Sequence, residues 1–504
     1  MANLGKWRDR TVLEEFTINE RPIDIVEKLL AQRPRIIGFG VYIWNATQTL
    51  EVVSLIKRIN PEIKLVVGGP EVSYEVDCQP LREQVDYLIT GEADLTFPKL
   101  VQQILDGDEI FKTKVIHAPL PDLAKVQLPY AYYGEDDLAH RIVYVEASRG
   151  CPFTCEFCLS SLDNPVRQFD LEPLLTALET LLQKGVRSFK FVDRTFNLNL
   201  KSSRRILEFF LQKIDLSLFI HFEMVPDRLP NALRDLIQQF PDGSLQFEVG
   251  IQTFNPEVAA QISRRQNYEK LRDNLTFLKQ SSGVHVHADL IVGLPGETES
   301  SFADGFDQLI DLGPQEIQVG LLKRLKGTPI TRHDKAFKMV YSPFPPYELL
   351  SNQHLSFETL QRLKRFARYW DLIGNSGNFI ETTPLLWQTG KRPFQAFMQL
   401  TQWLYDHFQG QHAIALTRLT KGLLQFLTEE LAINRDIVRP ILLRDYQRTG
   451  RSDTPPFLRD LSPTTKPTQT RGARRAQEAT ALPRRQQRWQ KNNPASLNPT
   501  PKAP

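Results

Sequence analysis

The sequence predicts an α/β protein: a doubly wound parallel sheet, then an incomplete six-unit (β/α) barrel of the TIM type, a small helical domain and a basic disordered tail. Three observations predict it. Strand and helix patterns alternate from residue 11 to about 110, as repeated βα units do. The alternation restarts at 141 and counts six strands over about 180 residues. After Pro346 the apolar spacing turns helical. The expected boundaries are 1–110, a linker at 111–140, the barrel at 141–335, helices at 336–455 and the tail at 456–504.

In the first unit, 11–18 reads as a strand, and Pro22 opens a helix carrying Ile25, Leu29 and Leu30 at helical spacing. The run 35–43 is nearly all apolar, as strands buried on both faces are. Thr47 is placed to cap the next helix. The strand from Lys64 enters the turn Gly68-Gly69-Pro70-Glu71, and the strand from Val85 ends at Gly91-Glu92-Ala93-Asp94. Ligands of such sheets sit at the carboxyl ends of strands, where these loops lie. The linker carries Pro119, Pro121 and Pro129 and little periodicity.

The six barrel strands are placed at 142–147, 188–193, 218–224, 245–251, 285–292 and 316–322. Side chains alternate in and out along barrel strands, so His221 with Glu223, Glu248 with Gly250 and Gln252, and His287 with Asp289 share faces. Their recurrence over several strands predicts a polar pocket. His221, Glu223 and Lys323 are the candidates for substrate contact.

Composition sets limits. With 504 residues the chain exceeds one core, and 41% apolar with 24% charged content is ordinary for globular protein. No apolar run reaches the ~20 residues of a membrane span. The first ten residues are polar and do not read as a secretory signal. With four cysteines in the whole chain, disulfides are not expected and a reducing cytoplasm is. The net charge of +3 conceals a tail with Lys466, Arg471, Arg474, Arg475, Arg484, Arg485, Arg488, Lys491 and Lys502 against Glu478 alone. Without the tail the body is slightly acidic. From Thr454 the composition predicts disorder, and any nucleic-acid contact would come through this tail.

Three of the four cysteines fall within eight residues, Cys151, Cys155 and Cys158, just past the first barrel strand. Thiolates this close bind metal more often than anything else. Structural zinc takes four protein ligands, yet the nearest His in sequence is His140, and Cys78 belongs to the other domain. Ordinary four-iron clusters use four cysteines. Three would leave one iron open to a substrate or cofactor.

The run CxxxCxΦC, with Phe157 as the aromatic, resembles the radical S-adenosylmethionine (SAM) superfamily. So do 248–253 on the fourth strand and 289–298 after the fifth. The resemblance implies a 4Fe-4S cluster on the three cysteines, with SAM chelated to the open iron. One electron, from a donor such as flavodoxin or ferredoxin, would then split the sulfonium to a 5′-deoxyadenosyl radical. It also implies that the Phe157 backbone meets the adenine, that Glu248 and Gln252 lie near the ribose or methionine, and that the loop from Gly293 lines the adenine pocket. Where the family has Gly-Gly-Glu after the second strand, this chain has Val192-Asp193-Arg194, with Asp193 as the substitute.

The N-terminal region resembles the cobalamin-binding domain of one branch of this superfamily, carried by Gly68, Gly69, Pro70, Glu71, Gly91 and Glu92. The helical region resembles a domain of unknown function in a bacterial subgroup. No DxHxxG run is present, so no cobalt-ligating histidine is expected. A flavodoxin-like sheet has its first strand in the middle. This chain reads as lacking that strand, which predicts weak cobalamin binding or none. The implied activity is cobalamin-dependent methylation or rearrangement of an unactivated carbon. The alternatives are an enzyme using only the deoxyadenosyl radical, with a degenerate N-terminal domain, and an RNA-associated protein acting through its tail. RNA methylthiolation is disfavoured, because relatives of that type carry three further cysteines.

Overall fold

The computed structural model describes residues 1–107, 111–163, 165–388, 390–451, 453–461 and 482–490. The N-terminal sheet holds four parallel strands in the order β1 (Ile36–Gly40), β2 (Lys64–Gly68), β3 (Tyr87–Thr90) and β4 (Val115–His117). Helices α1 (Pro22–Ala31) and α2 (Ala46–Ile59) bury Ile25, Val26, Val52, Val53 and Ile56. Helix α3 (Thr96–Asp106) buries Leu100 and Val101. Pro22 stands at the start of α1, where a missing N–H costs nothing. The start of α2 differs from expectation: it begins at Ala46, ahead of Thr47. The Asn45 carboxamide accepts from Tyr42 N (2.8 Å) and donates to Gly40 O (2.9 Å), tying the turn to the end of β1.

Two expectations for this domain are corrected. The region 111–140 is more than a linker, since it supplies β4 and a short helix, Glu135–His140. Residues 11–18 are not a strand. The physical reason is the lack of a neighbour. β1 is the edge of the sheet with no strand paired on its outer side, and Phe16, Ile36 and Gly38 line one groove of about 950 Å³ there. A strand without a ladder partner leaves its backbone to water.

The barrel is an open six-stranded parallel sheet: β5 (Val143–Val145), β6 (Ser188–Phe191), β7 (Phe219–Met224), β8 (Leu245–Gln252), β9 (His285–Val292) and β10 (Glu316–Leu321). Phe222, Phe247, Val249 and Ile251 join the apolar core under the helices. The alternate residues Glu223, Glu248, Gly250 and Gln252 line the interior. Helix starts are capped by side-chain acceptors, Asp170 to Glu172 N, Asn199 to Ser202 N and Thr298 to Ser301 N.

The helical region does not form a core of its own. One apolar cluster runs from Tyr130 through the barrel to Leu458. Phe306, on the barrel helix α4 (Glu299–Leu312), packs edge-on against Phe366 and Trp370 of α5 (Phe357–Ile373) and against Phe394 of α6 (Pro393–Phe408). At the start of the open edge of β10 one side chain takes the place of a partner strand at Ile317. The Asn375 carboxamide accepts from Ile317 N (2.8 Å) and donates to Ile317 O (2.9 Å).

The tail departs from expectation where it is described. Residues Arg484–Gln490 form a helix, α7. Gln486, 5% exposed, donates to Gln246 Oε1 (2.6 Å), and Arg485 pairs with Glu316 (2.8 Å) and Asp371 (2.9 Å). Gln246 and Glu316 stand at strand beginnings, so α7 closes the end of the barrel opposite the cysteines. Apolar content alone could not reveal this, because the docking is polar. The disorder expected for 462–481 and 491–504 lies outside the described residues, as do Lys466, Arg471, Arg474, Arg475, Lys491 and Lys502.

Candidate active site

The loop after β5 carries the three cysteines to the carboxyl ends of the barrel strands. Cys151 and Cys155 are buried and Cys158 is half-buried. All three line one cavity of about 170 Å³, together with Phe157, Glu223, Glu248, Gly250, Gln252, Arg264 and Asp289. Among the described residues no three His, Cys, Asp or Glu side chains are arranged to share a single metal ion. Three thiols around one cavity, with no fourth beside them, fit a cluster that leaves an iron open. Cys78 is exposed in the N-terminal domain.

Burial raises the Cys155 thiol, and the guanidinium of Arg264, with Nη1 3.5 Å from its Sγ, offsets part of that. Burial raises Cys151 as well, against a hydrogen bond from the Phe153 backbone. Arg264 is held by a second bond to Gly250 O on β8. No strand pattern marked Arg264. The only signal was the basic pair Arg264-Arg265 after an apolar turn, which reads equally as solvated surface.

The polar pocket expected from alternation is present. The His221 ring, whose Nε2 lies 3.1 Å from Glu248 Oε2, outweighs burial and, with the charge of Lys190, holds Glu248 at about 2. Burial raises Glu223, and Arg194 Nη1 at 2.9 Å offsets part of the rise. Burial pushes Asp289 well above the carboxylate range, and its Oδ1 has no hydrogen-bond partner in the protein. An ionised Glu248 and a buried Asp289, whose pKa burial raises, thus stand on adjoining strands of one cavity. These groups fit SAM, which presents hydroxyl, ammonium and carboxylate groups. Gln252 reaches the cavity from a backbone with φ +72.

Four candidates stand elsewhere, and the first is His221, which is 5% exposed beside Glu248 and does not line the cavity. Asp193 is buried, but its carboxylate accepts from Ala147 N (3.0 Å) and Ser148 Oγ (2.5 Å), tying β6 to the cysteine loop; Arg194 and Thr195 line the cavity instead. Gly293 packs under Leu349, whose Cδ2 would meet an added Cβ at 2.5 Å. Lys323 is exposed and bridges Glu348 through its backbone.

The glycine loops of the N-terminal sheet face the barrel mouth. Glu92 and Asp94 meet Arg149 Nη1 at 2.7 and 2.8 Å, and Glu92 also meets Arg167. On the other side Lys326 pairs with Glu71 (2.8 Å) and Arg324 with Glu75 (3.1 Å). Tyr347 donates to Glu71 at 2.6 Å. Glu71 and Glu92, expected to touch a cofactor, are thus the clamps between domains. Within the crevice, Ser73 Oγ donates to Gly69 O (2.8 Å) and accepts from Gly91 N (3.1 Å), joining the turns Gly68-Gly69-Pro70 and Gly91. The edge where such sheets hold ligands is therefore aimed at the cysteines, which fits a cofactor shared by the two domains.

Comparison with known proteins agrees with this layout. The model of the radical SAM superfamily matches residues 145–309, that of the B12 binding domain 10–101, and that of a protein of unknown function, DUF4080, 335–496. The chain is 23% identical over 446 residues to the cobalamin-dependent radical SAM methyltransferase TokK of Streptomyces tokunonensis, covering 78% of this chain and 62% of that one. It is 26% identical to an uncharacterized methyltransferase of Pyrococcus horikoshii, covering 55% and 64%. It thus spans under two thirds of the length of these relatives. Among solved structures, the cobalamin-dependent SAM radical enzyme OxsB, with aqua-cobalamin and SAM bound, aligns at TM-score 0.54 and 12% identity, covering 85% of this chain and 73% of that one. The radical SAM methyltransferase TsrM of Kitasatospora setae aligns at 0.51 and 15%, covering 61% and 66%.

Proposed function

From the premise that the chain belongs to the radical SAM superfamily, with a B12-binding domain before its barrel and a DUF4080 domain after it, we propose that it is an enzyme performing cobalamin-dependent methylation of a small-molecule substrate. The observation that carries this is the pair of ionic clamps, Glu92 and Asp94 on Arg149 and Glu71 on Lys326, which hold the ligand edge of the first domain over the three cysteines. When bound, the 4Fe-4S cluster, SAM and cobalamin supply one-electron cleavage of the sulfonium and a transferable methyl group.

The chain's own residues bind and orient. The thiolates of Cys151, Cys155 and Cys158 would hold the cluster. Arg264 sets a positive charge beside Cys155 and is placed to pair with a carboxylate. Glu248, ionised at neutral pH, accepts from hydroxyl or ammonium groups, and Asp289 lines the same cavity with an Oδ1 that has no hydrogen-bond partner in the protein. Phe157 gives an apolar wall for a flat ring. Glu223 remains the substrate candidate, and His221 acts through Glu248. The N-terminal domain above and α7 below keep bulk water from the barrel, as radical chemistry requires. An electron donor of the flavodoxin or ferredoxin kind is part of this proposal.

Anaerobic reconstitution with iron and sulfide, then SAM and dithionite, tests it: 5′-deoxyadenosine should form, and Cys155→Ala should abolish both the cluster absorbance and the product. A second reading, a barrel working without cobalamin, is favoured by the open edge of β1. Hydroxocobalamin retained through desalting supports the first reading, and its complete loss supports the second. The tail reading weakens, because Arg485 and Arg488 are engaged by the body of the chain.

A further inference from the structure

Glu156 lies between two of the cysteines, yet its side chain is 2% exposed and points away from the cavity they line. An isolated carboxylate buried that far is costly unless it is paired and hydrogen-bonded. Here its partners come from two distant segments. Ser263 Oγ donates to Oε1 and Arg332 pairs with the same oxygen. His333 Nε2 lies 2.8 Å from Oε2 and 3.4 Å from Arg332 Nε. The backbone is held too: Glu156 N donates to Ile262 O (3.1 Å), and Ile330 N donates to Glu156 O (3.0 Å). The first attachment leads two residues on to Arg264, which touches Cys155. The second leads back along 324–333 to Arg324 and Lys326, which grip Glu75 and Glu71 of the N-terminal domain.

We propose that Glu156 and His333 are positioning residues for the cysteine loop, and that segment 324–333 is a strap fixing that loop and the glycine loop of the N-terminal domain to one another. The proposal rests on the reading of the three cysteines as cluster ligands. A hydrogen bond that holds a ligand-bearing loop changes the geometry and lifetime of the bound group without touching it. The strap makes the position of the first domain felt at the cysteines, through a peptide segment held at both ends.

The test uses the whole chain, reconstituted anaerobically with iron and sulfide, and reads iron per chain, the electron paramagnetic resonance spectrum after dithionite, and the rate of iron loss to bathophenanthroline. His333→Ala should still take up iron, lose it roughly tenfold faster and show shifted g-values. His333→Gln, whose amide can donate to Glu156, should return toward the parent. Lys326→Ala, at the other end of the strap, should speed iron loss in the same direction. Parent-like spectrum and release in His333→Ala would overturn the positioning role, as would His333→Gln behaving like His333→Ala. Release unchanged in Lys326→Ala would overturn the link between domains. If circular dichroism shows His333→Ala unfolded, Arg332→Ala, whose side chain is 57% exposed, takes its place with the same expectations. A parent chain that takes up no iron defeats the reading of the cysteines, an outcome distinct from a loaded parent with unaffected variants.

Discussion

At the scale of residues, burial and the neighbouring charges together set which way each carboxyl shifts. Glu248 and Asp289 both line the barrel, yet one is held at about 2 by the neighbouring His221 and Lys190 and the other is raised well above its usual value by burial. Glu297, which follows β9, is a third case. Burial pushes it up to about 7, and the hydroxyls of Thr253 and Ser301 offset only part. Between its ordinary value near 4.5 and 7 the folded chain binds this proton and the unfolded chain does not. Stability from this group is therefore full at the acid end, falls as pH rises through that window and is flat above it. Glu297→Gln should flatten this part of a plot of urea midpoint against pH between 5 and 7. An unchanged slope would mean that Glu297 titrates normally.

Elements in this chain are finished by side chains from far along the sequence. The edge strand β10 is met at Ile317 by Asn375, with donor and acceptor both matched. Asn375→Ala leaves a buried N–H and C=O without partners, at about 1–3 kcal/mol each before relaxation. Urea unfolding of the barrel should show a loss of about 2–4 kcal/mol on that basis, while Asn378→Ala, outside this pair of bonds, serves as the control. Regular elements were legible in the sequence because each carries its own period: β9 was placed at 285–292 and observed there. Segment 11–18 misled because alternation states only that a strand could form. Whether it forms depends on a partner strand, which β1 does not find there.

For the whole molecule, the orientation of the two sheets is set by charge. Arg149 is 18% exposed on its side chain and sits among Glu92, Asp94 and Glu146. Arg149→Ala would leave Asp94 and Glu146 without their cation while Glu92 keeps Arg167, a loss of about 3–5 kcal/mol for a buried pair, reduced here by partial exposure. Limited proteolysis should then cut between the domains, within 118–142, faster than in the parent. Cobalamin retained on desalting should fall with it. The DUF4080 region belongs to the same unit, since Phe306 packs into its aromatic cluster and α7 closes the barrel floor.

What could be read from the chain alone was local chemistry and local periodicity. The cysteine spacing, the six strand patterns, the inward face of His221, Glu223 and Glu248, and the glycine turns all lie within short windows of sequence. Contacts across long separations could not be read. Glu71 and Glu92 look like ligand residues until Lys326 and Arg149 are seen to hold them. Asp193 looks like a cavity residue until its carboxylate is found on Ala147 and Ser148. Arg485 and Gln486 look like solvated tail until they meet Glu316 and Gln246. In each case a polar side chain has the same local signature whether it faces water, a ligand or a distant partner, because hydrogen bonds and ion pairs, unlike apolar periodicity, leave no repeat in the sequence.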